Sequence, residues 1–347
     1  MLPELLSEKS QAESASNLGD HPERNRPYNV FRKHFRGDSS NQGARNGAPV
    51  YWEHAEDFLD FVDTATRGNE ARRGILYKAL DDKPIGNLYD RCVHAVAAEC
   101  EITSLIDVSK PEVTPEIWQP YVKWAQRVRA SDSVITFNYD TVLEKLGEAP
   151  STGALGKETV FGVQGSMDAA EGIALIYKMH GSIDWVRTGE NEGPILRLDP
   201  VSIIGGSKPP LMATPGPTKR LHCADAFQHI WTKALDALKR AEVVVFVGYR
   251  FPPSDAESRG KLLAALRDNV SGKGVRVHTV LGPNTGEGDT IRLRELLRSS
   301  LSEKLVEQTD TREVPKNGHF QVIVHPLYAE DFFTVFHDNM LFGHGTS

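Results

Sequence analysis

Residues 131–147 read SDSVITFNYDTVLEKLG and combine two structural patterns in one short stretch. The first half, SVITFN, is apolar and β-branched, which is typical of a strand buried on both faces. The second half, TVLEKL, is typical of a helix. Asn138, Tyr139 and Asp140 lie between the two halves, at the point where the predicted strand ends. Taken alone, this junction is most simply a helix cap that Asp140 or Thr141 provides.

Four further apolar runs repeat the strand pattern. They read IALIYKMHG (residues 173–181), AEVVVFVGY (241–249), GVRVHTVLGPN (274–284) and FQVIVHPL (320–327). Helical patterns at residues 224–241 and 255–270 flank AEVVVFVGY, the most apolar of these runs. Because buried strands alternate with helices, the sequence predicts an α/β fold with a Rossmann-like, doubly wound parallel sheet.

Polar or glycine-containing clusters follow four of the predicted strands, and in a doubly wound sheet ligands bind at these carboxyl ends. Each cluster also has a purely structural interpretation, since a lone histidine at a strand end is more often structural than catalytic. It is their succession along one predicted sheet that indicates a binding site. The candidate residues are Asn138, Asp140, His180, Gly181, Ser182, Gly248, Tyr249, Arg250 and Asn284.

The remaining chain divides by composition. Residues 1–50 are polar and rich in Gly, Asn and Arg, which predicts a partly disordered segment. Residues 51–130 carry three helical patterns, and we expect them to form a helical layer of the same domain. Residues 131–340 then form the α/β core.

Composition narrows the classes of function. The 347 residues carry a formal net charge of −7, which disfavours broad, charge-driven binding of nucleic acid. No apolar run approaches the roughly 18 residues that span a bilayer, and the N-terminus lacks the pattern of a secretory signal. The three cysteines, Cys92, Cys100 and Cys223, are widely spaced, so we expect no disulfide framework and a cytoplasmic location.

Three motifs in order resemble a known family: TFNYD (residues 136–140), KMHGSIDW (178–185) and VFVGYRFPPSD (245–255). Together they look like the sirtuin-like (silent information regulator-like) domains of bacteria, in the branch found in prokaryotic immune effectors. The resemblance covers about residues 131–333. It implies an NAD⁺ hydrolase of the glycohydrolase type, which releases nicotinamide and ADP-ribose in antiphage defence.

The resemblance implies a catalytic role for the first two clusters. Asn138 and Asp140 would face the nicotinamide end of NAD, and His180 would be the general base beside the nicotinamide ribose. Gly181 and Ser182 adjoin that base. These residue types suit the chemistry, because an amide both donates and accepts, a carboxylate stabilises positive charge, and imidazole accepts a proton near neutral pH.

The resemblance implies cofactor contacts for the other two clusters. Gly248 would approach the backbone of the cofactor, with Tyr249 and Arg250 beside it, and Asn284 would meet the adenosine ribose. Arg250 departs from the family pattern, which has a serine at this place. A guanidinium can still bind a phosphate or carboxylate.

Two further departures from the family matter. Only Cys223 follows the histidine motif, so the zinc ribbon of protein-deacetylating sirtuins cannot form, and we expect no metal. The Gly-Ala-Gly-x-Ser loop that cradles the diphosphate does not occur before Val134. We therefore expect that the first βα unit is missing from this chain. The rival hypothesis is a degenerate protein that has lost diphosphate binding.

Other functions stay open at this point. The chain could be a non-catalytic module in which bound NAD or ADP-ribose regulates a partner, or an inactive, N-terminally truncated homologue. It could also be an interaction protein whose helical layer contacts other subunits. The expected partners are NAD⁺ and either a second copy of the chain or a separate sensor, with no membrane.

Overall fold

The computed structural model describes residues 61–65, 68–71, 73–74, 88–103, 118–148, 153–155, 160–163, 172–188, 193–206, 208–213, 219–251, 255–269, 275–283, 287–301 and 320–335. The described residues fall into two units. Unit 1 draws on Met1–Leu105, Asn138–Thr141 and His180–Ala224, and unit 2 draws on Ile106–Phe137, Val142–Met179 and Asp225–Ser347. The predicted disordered segment, residues 1–50, and the candidate Asn284 lie outside the described residues.

Eight helices and seven strands have defined bounds in this part of the chain. The helices are α1 (Leu88–Thr103), α2 (Gln119–Ala125), α3 (Val142–Leu146), α4 (Pro200–Ile204), α5 (Lys219–Arg240), α6 (Ala256–Arg267), α7 (Glu287–Leu301) and α8 (Ala329–Val335). The strands are β1 (Ser133–Thr136), β2 (Leu175–Lys178), β3 (Trp185–Arg187), β4 (Ile195–Arg197), β5 (Val243–Val247), β6 (Val275–Val280) and β7 (Phe320–His325).

All five strands predicted from apolar runs form, and they pair in parallel. β1 pairs with β2, with Thr136 opposite Lys178. β6 pairs with β5 on one edge and with β7 on the other. The helices α6 and α7 connect β5 to β6 and β6 to β7, which is the crossover that parallel neighbours require. The architecture is therefore α/β, with parallel sheets compatible with a Rossmann-like fold.

The arrangement differs from the predicted sheet in two respects. Within the described residues the five strands form separate sheets, β1-β2 and β5-β6-β7, and no single doubly wound sheet unites them. In addition, β3 and β4 form an antiparallel pair that no sequence pattern revealed. Each of these strands has only three residues, which is too short for an alternation pattern to stand out.

The core of unit 2 packs α5, α6 and α7 against the three-stranded sheet. Its fully buried members include Phe251, Leu266, Val277 and Leu297. A second cluster packs α2 against α8, where the rings of Tyr121 and Phe333 approach to 5.4 Å between centroids. Apolar faces from helix and sheet thus account for most of the burial.

The core of unit 1 is smaller and centres on α1. Val93 and Ala97 of this helix pack with Ile183 and Met212, and Tyr139 and Ile204 lie against the same cluster. Among the helices described, none combines the length and the apolar character needed to cross a membrane.

Candidate functional site

Two loops begin where the paired strands β1 and β2 end. The parallel register places Thr136 opposite Lys178, and the Met179 amide extends the ladder by donating to the Thr136 carbonyl at 2.9 Å. Asn138 and His180 therefore follow the two strands at equivalent distances along the chain. Parallel strands bring their carboxyl ends to the same edge, which is why residues far apart in sequence leave the sheet together.

Within unit 1 the two loops are tied through the backbone of Tyr139. Its carbonyl accepts from the Ser182 hydroxyl at 3.2 Å and from the Ile183 amide at 3.0 Å. The ring of Tyr139 lies 6.2 Å from that of His180, centroid to centroid. The tyrosine hydroxyl donates to the carbonyl of Ala213. Tyr139 thus links both loops to a third segment.

The histidine loop is held by its backbone. The His180 carbonyl accepts from the Ala213 amide at 2.8 Å, and Gly181 bridges antiparallel to Met212. Gly181 has φ of 78°, a left-handed conformation that L-residues adopt only at a cost. The His180 side chain is 5% exposed, whereas Asn138 is exposed and Asp140 is half-buried. The two loops of unit 1 therefore bring together a buried imidazole and an exposed amide side chain.

A buried carboxylate lies next in the same segment. Asp184 is 2% exposed, and its Oδ2 atom accepts from Arg197 Nε at 2.8 Å. Its carbonyl also accepts from the Leu198 amide at 2.8 Å. These contacts join the segment of His180 to the hairpin of β3 and β4, which sequence patterns did not reveal.

In unit 2, a turn at the end of β5 carries the third motif. Gly248 has φ of 70°, and its amide donates to the Val280 carbonyl at 2.9 Å. The exposed Arg250 donates from Nη2 to the Leu281 carbonyl at 3.0 Å. This hydrogen bond connects the ends of β5 and β6 through a side chain.

Tyr249 faces the interior of unit 2. Its ring stacks on Phe137 with 5.0 Å between centroids, and its hydroxyl donates to Asp255 Oδ2 at 3.1 Å. Burial, with Asp255 beside it, raises the pKa of Tyr249 above its ordinary value. The phenol therefore stays neutral, and its hydroxyl is hydrogen-bonded to Asp255 of the same chain.

The candidate residues thus fall into two groups. Unit 1 gathers Asn138, Asp140, His180, Gly181 and Ser182, and unit 2 contains Gly248, Tyr249 and Arg250. Among the described residues, no three His, Cys, Asp or Glu side chains cluster in a way that could hold a metal ion.

One feature of unit 2 was not predicted. Lys178 and Glu144, the former at the end of β2 and the latter in α3, form a buried ion pair. A sequence signal existed, because a lysine inside the apolar run IALIYKMHG needs an acidic partner if the run is a buried strand. The sequence could not identify which acidic residue it would be.

Comparison with known proteins adds one finding. A family model described as "SIR2-like domain" matches residues 132–300, a span that includes all three motifs. A search of curated proteins finds no match. The predicted resemblance is confirmed for the domain, while the immune-effector branch and the absent glycine-rich loop stay predictions.

Proposed function

Because the chain carries a SIR2-like domain at residues 132–300, and such domains bind NAD, we propose that it cleaves NAD⁺ between nicotinamide and ribose. The observation that carries the proposal is the join between the two loops of unit 1. Tyr139 holds the loop of Asn138 and Asp140 against the loop of His180 through two hydrogen bonds to one carbonyl. An amide, a carboxylate and an imidazole are thereby drawn from neighbouring strand ends.

The reaction consumes water: NAD⁺ and H₂O give nicotinamide, ADP-ribose and a proton. The bond from the anomeric carbon to the nicotinamide nitrogen breaks, and its electron pair goes to the departing ring. Asn138 binds the carboxamide or the attacking water, since an amide both donates and accepts. Asp140 stabilises the positive charge that develops on the ribose. His180 accepts the proton released from water or from a ribose hydroxyl.

The contacts proposed for the rest of the nucleotide rest on the family resemblance. Gly248 and Arg250 remain the candidates, because a left-handed glycine permits close approach of a ligand and a guanidinium binds phosphate oxygens. Tyr249 contributes by packing, since its hydroxyl is engaged by Asp255.

A direct measurement of turnover tests the proposal. Purified protein incubated with NAD⁺ should release nicotinamide and ADP-ribose in equal amounts, measured by chromatography with mass detection. His180→Ala should lower the rate by roughly 10²–10⁴-fold, the usual contribution of a general base. Asn138→Ala should lower it as well. The control is His229→Gln, because His229 is an exposed histidine on α5. Equal turnover in all four proteins would end the catalytic assignment.

The burial of His180 favours a second candidate. A histidine that is 5% exposed can serve structure alone, in which case the domain binds NAD or ADP-ribose without cleaving it and regulates a partner. Calorimetric binding of NAD⁺ with no release of nicotinamide would favour this module. Release that depends on His180 would favour the hydrolase.

The cellular role follows from the branch resembled, and we place the activity in antiphage defence. NAD⁺ levels in infected cells should fall when the wild-type chain is present and stay constant with His180→Ala. An unchanged NAD⁺ level in both sets of infected cells would contradict the role in antiphage defence and leave the proposed cleavage reaction untouched.

A further inference from the structure

A buried ion pair joins β2 to α3 within unit 2. Lys178 Nζ and Glu144 Oε1 are 2.9 Å apart, and their side chains are 1% and 2% exposed. Lys178 is the last residue of β2, and Glu144 lies within α3. The pair therefore ties the end of a strand to the short helix that follows β1.

Stability alone does not account for such a pair. Removing two charges from water is costly, and apolar side chains of similar volume often stabilise a core as well or better. A buried ion pair differs from an apolar contact in being directional, because a charge-assisted hydrogen bond selects one geometry.

Both members of the ion pair lie close in sequence to the candidate residues of the two loops. Lys178 precedes His180 by two residues, and Glu144 follows Asp140 by four. The regular ladder between β1 and β2 ends at the hydrogen bond from Met179 to Thr136. Since α3 has only five residues, it is too short to be stable by itself, and its contacts decide where it begins.

We propose that Lys178 and Glu144 are positioning residues, which set the loop of Asn138 and Asp140 in register with the loop of His180. The inference rests on the proposed function, because the register matters if both loops act on one substrate. The end of β2 has a second anchor in the Trp231 indole, which donates to the Met179 carbonyl at 3.1 Å. The ion pair supplies the corresponding anchor for α3. Leu146 of α3 is also buried, but an apolar contact does not fix the orientation of the helix.

Single and double substitutions separate positioning from stability. Lys178→Met or Glu144→Leu alone leaves one charge buried without its partner, so each should lower the melting temperature strongly. The double variant Lys178→Met/Glu144→Leu removes both charges and should recover most of that loss. Glu144→Gln keeps the shape of the side chain and replaces the double variant if the latter does not fold. The control is Glu257→Gln, which removes an exposed ion pair, Glu257 to Lys261, at 2.8 Å.

The first readout is the kinetics of NAD⁺ cleavage. In the folded double variant kcat should fall by about 10²-fold with KM little changed, as expected when reacting groups are misplaced by about 1 Å. Lys178→Arg keeps the charge and should retain more activity than Lys178→Met. A folded double variant with wild-type kcat overturns the proposal. If the ion pair were only structural, activity would return as soon as stability returned.

The second readout does not depend on turnover. The amide of Ile183 donates to Tyr139 and so reports the join between the loops. Hydrogen exchange at this amide should accelerate at least ~10-fold in the double variant, the equivalent of about 1.4 kcal/mol, and stay unchanged in Glu257→Gln. Wild-type exchange at Ile183 in the folded double variant overturns the positioning role. A wild-type protein that binds no NAD⁺ and cleaves none refutes the proposed function, while the exchange result still decides the positioning.

Discussion

Two glycines of unit 2 differ in backbone conformation, so an added side chain should have opposite effects at the two positions. Gly248 follows β5 with φ of 70°, in the left-handed region, and an added Cβ would meet no atom within 4 Å. Gly260 lies inside α6, where an added Cβ would also meet no atom within 4 Å. Since both sites have room, only backbone conformation separates them.

Alanine at these two glycines should therefore change stability in opposite directions. Gly248→Ala should lower the free energy of unfolding by about 1–2 kcal/mol, the cost of a left-handed L-residue. Gly260→Ala should raise it by roughly 0.5–1 kcal/mol, because alanine is the better helix former. Urea unfolding followed by circular dichroism measures both. An increase for Gly248→Ala would contradict the left-handed backbone at Gly248, and a decrease for Gly260→Ala would contradict the helix propensity argument at Gly260.

At the scale of the element, β5 and β6 show that apolar composition does not decide burial. β5 reads VVVFV, yet its residues are half-buried and Val247 is 38% exposed. β6 reads VRVHTV and is buried at all six positions. β6 pairs on both edges, whereas β5 pairs on one edge within the described part of the chain. Position in the sheet therefore governs exposure here.

Hydrogen exchange should show this difference directly. Amides along β6 should all be protected, while about half of those along β5 should exchange faster, because alternate amides of an edge strand point away from the ladder. The comparison is internal, since Val244 and Val277 are register partners. Uniform protection along β5 would mean that its second edge is covered in solution.

At the scale of the whole molecule, a pair of histidines, His278 buried and His325 half-buried, couples stability to pH. His278 Nδ1 and His325 Nε2 are 2.9 Å apart on neighbouring strands, with the rings stacked. Such a bond needs one ring to donate and the other to accept, so at least the accepting ring is neutral. Burial, with His325 and Arg276 adding to it, lowers the pKa of His278 to about 3. Burial also lowers the pKa of His325.

Stability should fall on acidification in a defined window. The unfolded chain takes up protons at these histidines below about pH 6.5 while the folded chain does not, so protonation favours unfolding. The free energy of unfolding should therefore decrease as pH falls from about 6.5 towards about 3. Urea titrations over this range should give a shallower decline for His278→Leu than for wild type.

The exposed His229 provides the control for the pH experiment. His229→Gln should keep the wild-type slope, because His229 is exposed on α5 and lies outside the pair of His278 and His325. A wild-type stability that is constant between about pH 6.5 and 5 would contradict the neutral pair.

The strands that carry the candidate residues were predictable from local pattern, while the roles of those residues stay predictions. The apolar run before Asn138, the run before His180 and the run before Gly248 all form parallel strands, and the family match covers their motifs. Local pattern did not reveal the hydrogen bond from the Tyr249 hydroxyl to Asp255, because this contact depends on how the turn closes. The cofactor contact of Tyr249 stays a prediction.

The sequence alone was enough to predict the five parallel strands, the helices that flank β5 and the order of the three motifs, because periodicity and propensity act over a few neighbouring residues. Only the tertiary structure decided the division into two sheets, the hairpin of β3 and β4, and the pairing of Lys178 with Glu144. These depend on contacts between residues far apart in the chain. A lysine in a buried strand predicts an acidic partner, but only tertiary packing selects which carboxylate approaches to 2.9 Å.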